Sequence, residues 1–340
     1  MMNPLKRSLR CAFLLIFLLS IAPLWGRDWA KDPPWIEIPY AARVAAIGDV
    51  HGGFPEFVAT LRALQVAVVD QNNPWKLNWC GADTVLVITG DFGDRGEYTK
   101  EVYDAVMDLE VQAPKTGGRV IALFGNHEAL LLNGQVEKWA KTLKPPKQKH
   151  YQDTITSFER SGKPFHQVIA KTGTYGSWIR RRPLFAMING YLFIHGGLSK
   201  PPVTRSELAA IFREGLEAEA WETGMFMNME GPIWHRDWWN DEAFVTEALQ
   251  IFGARGVVFG HTIGALGDKG KITNRNQNMI NIDVGMTPAY GNSKGGGLLI
   301  SITRSGNMLF RARYPNQPEA ILFQCPAPLP VSSPRSAVAR

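Results

Sequence analysis

Five short segments of this chain place residue types that bind metals directly beside glycine. They are Gly48-Asp49-Val50-His51-Gly52-Gly53, Gly90-Asp91-Phe92-Gly93-Asp94-Arg95-Gly96, Gly125-Asn126-His127-Glu128, His195-Gly196-Gly197 and Gly260-His261-Thr262. The second is the centre of the set. Glycine lets a backbone turn sharply and approach a ligand closely, and neighbouring carboxylates repel unless a positive charge lies between them. A metal would supply that charge, and we read Asp91 as the bridge of a two-metal site. Asp49, His51, Asp91, Asn126, His195 and His261 mix carboxylate, amide oxygen and imidazole without thiolate, a set suited to Mn²⁺ first, with Fe or Zn²⁺ as alternatives. Two ions roughly 3.5–4 Å apart clamp a phosphoryl oxygen and deprotonate the attacking water. Arg95, then Arg236 in Gly231-Pro232-Ile233-Trp234-His235-Arg236, would meet the charge of the transition state. His127 would protonate the leaving oxygen, with Asp94 holding it protonated and oriented.

The segments differ in weight. A lone Gly-His is close to noise, because a strand-end histidine is more often a satisfied core residue. An Asp-x-His is little better. GDFGDRG and GNHE are stronger, and the whole ordered series is poorly explained by chance. The plainer reading of Asp94 and Arg95, a structural ion pair at a turn, is set aside because they stand beside Asp91. For His235 and His166 a structural role is expected, and for His150 a solvated loop.

Each segment follows a short apolar run: Val44–Ile47, Val85–Thr89, Arg119–Phe124, Tyr191–Ile194 and Gly256–Phe259. Helical patterns at Phe54–Leu64 and Tyr98–Leu109 separate the first three. Alternating strands and helices give a layered α/β fold, in which ligands gather beyond the carboxyl ends of the strands. The later runs Met279–Val284, Leu298–Thr303 and Met308–Arg313 read as antiparallel strands completing a second sheet. Two insertions interrupt this core. The first, 132–182, carries a basic, proline-broken loop at 141–149 with helices on either side. The second, 199–250, is helical and rich in tryptophan. Both are expected to cap the site and set substrate choice. Trp234, Trp238 and Trp239 are read as packing the cap on the core. The segment 325–340 is Pro/Ser-rich and expected to be disordered.

The 340 residues carry a formal charge of +6. Lys6, Arg7 and Arg10 account for part of it, no acid precedes Asp28, and nothing argues for a nucleic-acid partner. The basic start, the apolar run Cys11–Leu19 and the small Ser20 and Ala22 read as a signal peptide over 1–26. The protein is therefore expected to be exported, periplasmic or secreted, with a membrane contact only if the signal stays uncleaved as an anchor. Cys80 and Cys325 are left to pair in an oxidising compartment or to remain lone thiols.

The ordered series GDVHGG, GDFGDRG, GNHE, HGG and GHT resembles the phosphoprotein phosphatase branch of the metallophosphoesterases, over roughly Arg43 to Arg313. The resemblance implies a four-layer α-β-β-α sandwich of two mixed sheets with helical insertions, spanning 40–315, with a dimetal site at one edge. It places metal ligands at Asp49, His51, Asp91, Asn126, His195 and His261, and catalytic residues at Asp94, Arg95 and His127. Where eukaryotic Ser/Thr phosphatases read GDxHGQ, GDxVDRG and RGNHE, this chain has Gly53, Gly93 and Phe124. Their SAPNYC signature is absent, and Asn281-Ile282-Asp283-Val284-Gly285-Met286 stands there instead. That segment, with GPIWHR and Gly295–Gly297, is most similar to the Shewanella-like protein phosphatases, a group associated with phosphotyrosine as well. Asp283 reads as an acid orienting a ligand histidine, or as a plain strand-end acid. The implied substrate is a phosphorylated protein or a small phosphomonoester. The alternatives are an ApaH-like dinucleoside polyphosphate hydrolase and a catalytically silent phosphate-binding protein.

Overall fold

The apolar runs form strands that fall into two six-stranded sheets. The structure, a computed structural model, describes residues 27–291 and 293–329, so the signal segment 1–26 and residues 330–340 lie outside the described residues. The chain enters through β1 (Trp35–Ile38) and β2 (Arg43–Ile47), turns into α1 (Phe54–Ala63), and makes the small hairpin β3 (Ala67–Val69) and β4 (Leu77–Trp79). Then come β5 (Val85–Ile88), α2 (Thr99–Gln112), β6 (Arg119–Ala122) and α3 (Asn126–Leu132). The first insertion holds α4 (Gln135–Thr142), α5 (Lys147–Glu159), α6 (Phe165–Ile169) and α7 (Thr174–Ile179). It leads to β7 (Phe185–Ile188) and β8 (Tyr191–Ile194). The second carries α8 (Arg205–Glu217) and α9 (Glu242–Phe252) before β9 (Gly256–Phe259), β10 (Thr273–Arg275), β11 (Met279–Asn281), β12 (Gly297–Ile302), β13 (Asn307–Arg313) and β14 (Ala320–Pro326).

One sheet has the order β14-β13-β12-β2-β5-β6 and the other β1-β7-β8-β9-β11-β10. In the first, β2, β5 and β6 are parallel neighbours, with Ile47 opposite Ile88 and Ile88 opposite Ala122. In the second, β8 and β9 are parallel neighbours, with Ile194 opposite Phe259. These strands are buried over nearly their whole length, so their sequences are uniformly apolar rather than alternating. β13 alternates instead, as a strand covered on one face does. The sheets meet through contacts such as Tyr191 on Phe310, ring centroids 5.0 Å apart.

All five glycine-bearing segments leave the carboxyl ends of β2, β5, β6, β8 and β9, so two sheets deliver them to one edge. Three sequence expectations need correction. The Met279 run does not join the later antiparallel strands: β11 pairs parallel with β9, whereas β12 and β13 extend the sheet of β2. The 141–149 loop is mostly helical, with only Leu143–Pro146 between α4 and α5. The 325–340 segment starts inside β14, where Cys325 lies opposite Met308. Cys80 and Cys325 are both free thiols, Cys80 exposed. No helix among the described residues is long and apolar enough to cross a membrane.

Two aromatic clusters fasten the second insertion. Phe124, where the related pattern has arginine, packs against Phe212, Trp221 and Phe226 at centroid distances of 5.6, 6.4 and 5.6 Å. Trp238 and Trp239 are buried against Phe259. The expected packing role of these tryptophans holds.

Candidate metal centre

The first two loops are tied together by backbone. The amides of Val50 and His51 donate to the Asp91 carbonyl at 3.1 and 2.9 Å, and that of Gly96 to the His51 carbonyl at 2.8 Å. The turns are tight enough that His51, Asp91, Asp94, Arg95 and His261 all sit at positive φ, between 46° and 73°. Strain of this kind costs on the order of 1–3 kcal/mol per residue and persists where surrounding structure enforces it. Close approach also dictates glycine. A Cβ at Gly125 would lie 2.4 Å from Asp91 Oδ1, and one at Gly260 would lie 2.3 Å from Asp49 Oδ1. Gly93, the departure from the related Val, is explained in the same way, since its Cβ would lie 2.6 Å from Thr99 Cγ2.

Glu128 locks the second loop to the third. Its buried carboxylate accepts from the amides of Asp91 (2.8 Å), Phe92 (3.1 Å) and Gly125 (2.9 Å) and from the Tyr103 hydroxyl (2.9 Å). Sequence reasoning assigned Glu128 no role, although its place in GNHE was a signal. Removing that carboxylate leaves three amides and a hydroxyl without their acceptor, at about 1–3 kcal/mol for each one that stays buried and unsatisfied. Glu128→Ala should therefore lower Tm by on the order of 10 °C. A shift below about 2 °C in a calorimetric scan would refute the staple.

The structure brings all the sequence-predicted ligands together. His51 Nδ1 donates to the Gly93 carbonyl at 3.0 Å, His195 Nδ1 to the Thr89 carbonyl at 3.0 Å, and His261 Nε2 to the Trp234 carbonyl at 3.1 Å. A carbonyl can only accept, so each contact fixes the tautomer and leaves the other ring nitrogen as an acceptor lone pair. Those lone pairs converge on carboxylates. His51 Nε2 lies 3.7 Å from Asp49 Oδ2 and 3.6 Å from Asp91 Oδ2. On the other side, His195 Nε2 lies 3.4 Å from Asp91 Oδ1, 2.8 Å from Asn126 Oδ1 and 3.2 Å from His261 Nδ1. Asp91 belongs to two donor clusters, His51–Asp91–His127 and Asp91–His195–His261. Acceptors packed this way repel unless cations lie among them, and the residues present fit two.

The electrostatics agree. Burial pushes the Asp49 carboxyl well above its usual range, and the nearby Asp283 and Asp91 charges add to this. Burial also drives the His51 imidazole down to about 3, and His261 well below its ordinary value, which keeps both neutral as ligands. Asp283 does not orient a histidine. Its Oδ1 accepts from the Gly285 amide at 2.9 Å, burial raises it to about 6, and the backbone carbonyls do the orienting.

Beside the cluster, His127 Nδ1 lies 2.8 Å from Asp94 Oδ2, an ion pair whose N–H is not aimed along the line of a hydrogen bond. His127 Nε2 lies 3.8 Å from Asp91 Oδ2, so it faces the centre. Burial alone would push this imidazole down, but the Asp91 and Asp94 carboxylates outweigh it and hold it above its ordinary value. Arg95 Nη1 stands 3.6 Å from Asp94 Oδ2. Arg236 reaches the opposite rim, where Nη1 donates to the His261 carbonyl (2.9 Å) and Thr262 Oγ1 (2.7 Å). His235 is structural, its Nδ1 donating to the Leu198 carbonyl at 2.6 Å, and His166 is exposed. His150 is not in a solvated loop: it lies on α5, half-buried, against Arg95.

A fold of two mixed sheets with acceptor clusters sharing one aspartate at the strand ends defines a metallophosphoesterase. The profile of the calcineurin-like phosphoesterases matches residues 42–264, and the chain belongs to that family. Shewanella-like protein phosphatase 1 of Plasmodium berghei is 29% identical over 48% of this chain, a match spanning 41% of that relative's length. Shewanella-like protein phosphatase 2 of Arabidopsis thaliana is 25% identical over 72% of this chain and 71% of its own. Among solved structures, a cold-active protein-tyrosine phosphatase of a psychrophilic Shewanella species superposes with a TM-score of 0.65 at 23% identity, covering 86% of this chain and 82% of that one. A serine/threonine phosphatase from Saccharomyces cerevisiae gives 0.51 at 20% identity, with 90% and 87% covered. At these identities the two structures show a shared fold.

Proposed function

We propose that this chain is an exported phosphomonoester hydrolase that uses two divalent ions, Mn²⁺ first among the candidates, to dephosphorylate proteins. The observation that carries the reading is the shared Asp91, flanked by acceptor-only atoms on both carboxylate oxygens, with the Asp94–His127 pair alongside. Asp49, His51 and Asp91 would hold one ion, and Asp91, Asn126, His195 and His261 the other. When bound, such a pair supplies Lewis acidity and lowers the pKa of the attacking water. Arg95 and Arg236 grip the phosphoryl oxygens from opposite rims. Asp94 keeps His127 Nδ1 engaged, so the proton for the leaving oxygen sits on His127 Nε2. The names of the relatives support a phosphoprotein substrate, and the Lys6/Arg7/Arg10 start with Cys11–Leu19 supports export.

The test is the full chain expressed in a secreting host and assayed with Mn²⁺ on p-nitrophenyl phosphate, phosphopeptides bearing pTyr, pSer or pThr, and diadenosine tetraphosphate. Phosphopeptide turnover should exceed that of the dinucleotide, vanish on chelation and return with Mn²⁺. Its mature N-terminus should begin after the apolar run. Metal-independent turnover, or preference for the dinucleotide, would overturn the enzymatic reading, and an intact N-terminus inside the cell would overturn export.

A further inference from the structure

The first insertion does not lie over the site as a plain cap: two adjacent residues of α5 hold Arg95 at both of its ends. His150 Nδ1 donates to the Arg95 carbonyl at 3.1 Å, and Arg95 Nη1 donates to the Tyr151 hydroxyl at 3.1 Å. The guanidinium carbon lies 5.8 Å from the centre of the Tyr151 ring. On its other side Nε donates to the Tyr290 hydroxyl at 2.9 Å. Tyr151 is buried and packs on Trp139 of α4, ring centroids 5.0 Å apart.

The grip continues along the helix. Ser157 Oγ accepts from the Lys100 amide at 2.9 Å, and Arg160, just past the helix, donates from Nη2 to the Glu97 carbonyl at 2.9 Å and to Glu101. The segment held in this way begins with Asp94 and Arg95 at φ +72° and +73°, a backbone that needs outside support. With Nε and Nη1 engaged, Nη2 of Arg95 has no protein partner among the described residues. That edge of the fork is left for an oxyanion.

We infer that the 132–182 insertion is a brace for the phosphate-binding arginine, with Tyr151 and His150 as its positioning residues. The inference rests on the reading of Arg95 as a phosphate ligand. An unbraced arginine is a long chain of many rotamers, so its planar fork would have to be ordered afresh at each encounter with substrate. Tyr151 removes that freedom at the tip and His150 at the base. Neither touches the metal donors.

The experiment is a double-mutant cycle on the full-length, Mn²⁺-loaded enzyme, reading kcat/KM and the inhibition constant of inorganic phosphate. Tyr151→Phe keeps the ring and its packing and removes one hydrogen bond to a charged group. It should lower kcat/KM and weaken phosphate inhibition by about tenfold, with metal content and Tm unchanged. In an Arg95→Ala background the same change should alter either value by less than about twofold, because the group it positions is gone. His150→Ala, a second variant that does not depend on the tyrosine, should show the same non-additivity. An equal tenfold loss with and without Arg95, or no loss in the parent enzyme, would overturn the brace. If Arg95→Ala alone left phosphate inhibition unchanged, the phosphate-ligand reading would fall first and the brace with it.

Discussion

Asp91→Asn should reduce kcat by at least ~10³-fold, the equivalent of the several kcal/mol that metal activation contributes, and leave at most one firmly bound ion per chain. With its oxygen kept at the Oδ1 position, the amide places an N–H₂ donor against His51 Nε2 at 3.6 Å and removes the one charge common to both clusters. Its remaining oxygen can still accept from the His127 amide, as Asp91 Oδ1 does at 2.9 Å, so the loop survives and circular dichroism should be unchanged. Metal analysis and turnover on the same preparation decide the matter. Two retained ions with near-normal kcat would remove Asp91 from the centre of the site.

His127→Ala gives the second large effect, and its signature is selective. Proton donation to a leaving oxygen contributes roughly 10²–10⁴-fold when the leaving group is a poor one. The loss should fall in that range for alkyl phosphates such as phosphoserine and be much smaller for p-nitrophenyl phosphate, whose oxygen departs without a proton. The position of His127 supports this role, with Nδ1 occupied by Asp94 and Nε2 turned towards Asp91. Equal losses on alkyl and aryl esters would mean that His127 serves as a metal donor, which its place in the first donor cluster also permits.

What the sequence made legible was local. A glycine after an apolar run marks a strand end wherever it occurs, so the five loops, α1 and α2 could be read before any pairing was known. Whether the Met279 run joins β9 or β12 depends on pairing between distant segments, and its composition suits either sheet. The orienting partners of the ligand histidines are the carbonyls of Thr89, Gly93 and Trp234, and a carbonyl carries no sequence signature. His150, Tyr151 and Tyr290 were missed for a related reason: their spacing marks no motif, and only the fold of the insertion brings them to Arg95. Gly93 shows the reverse case. Its departure from the related pattern was visible in sequence, but the cause, the Thr99 methyl beside it, required coordinates.

The Glu128 carboxylate bears on the thermodynamics of metal uptake. By joining the amides of Asp91, Phe92 and Gly125 it makes two catalytic loops one body, and the Asp91 carbonyl joins a third through Val50 and His51. Fixing a backbone costs about 1–2 kcal/mol per residue in entropy, and here that cost falls on folding rather than on the arriving ions. The ordering penalty to subtract from metal affinity is correspondingly smaller. One ion can replace another without the loops having to rebuild around it.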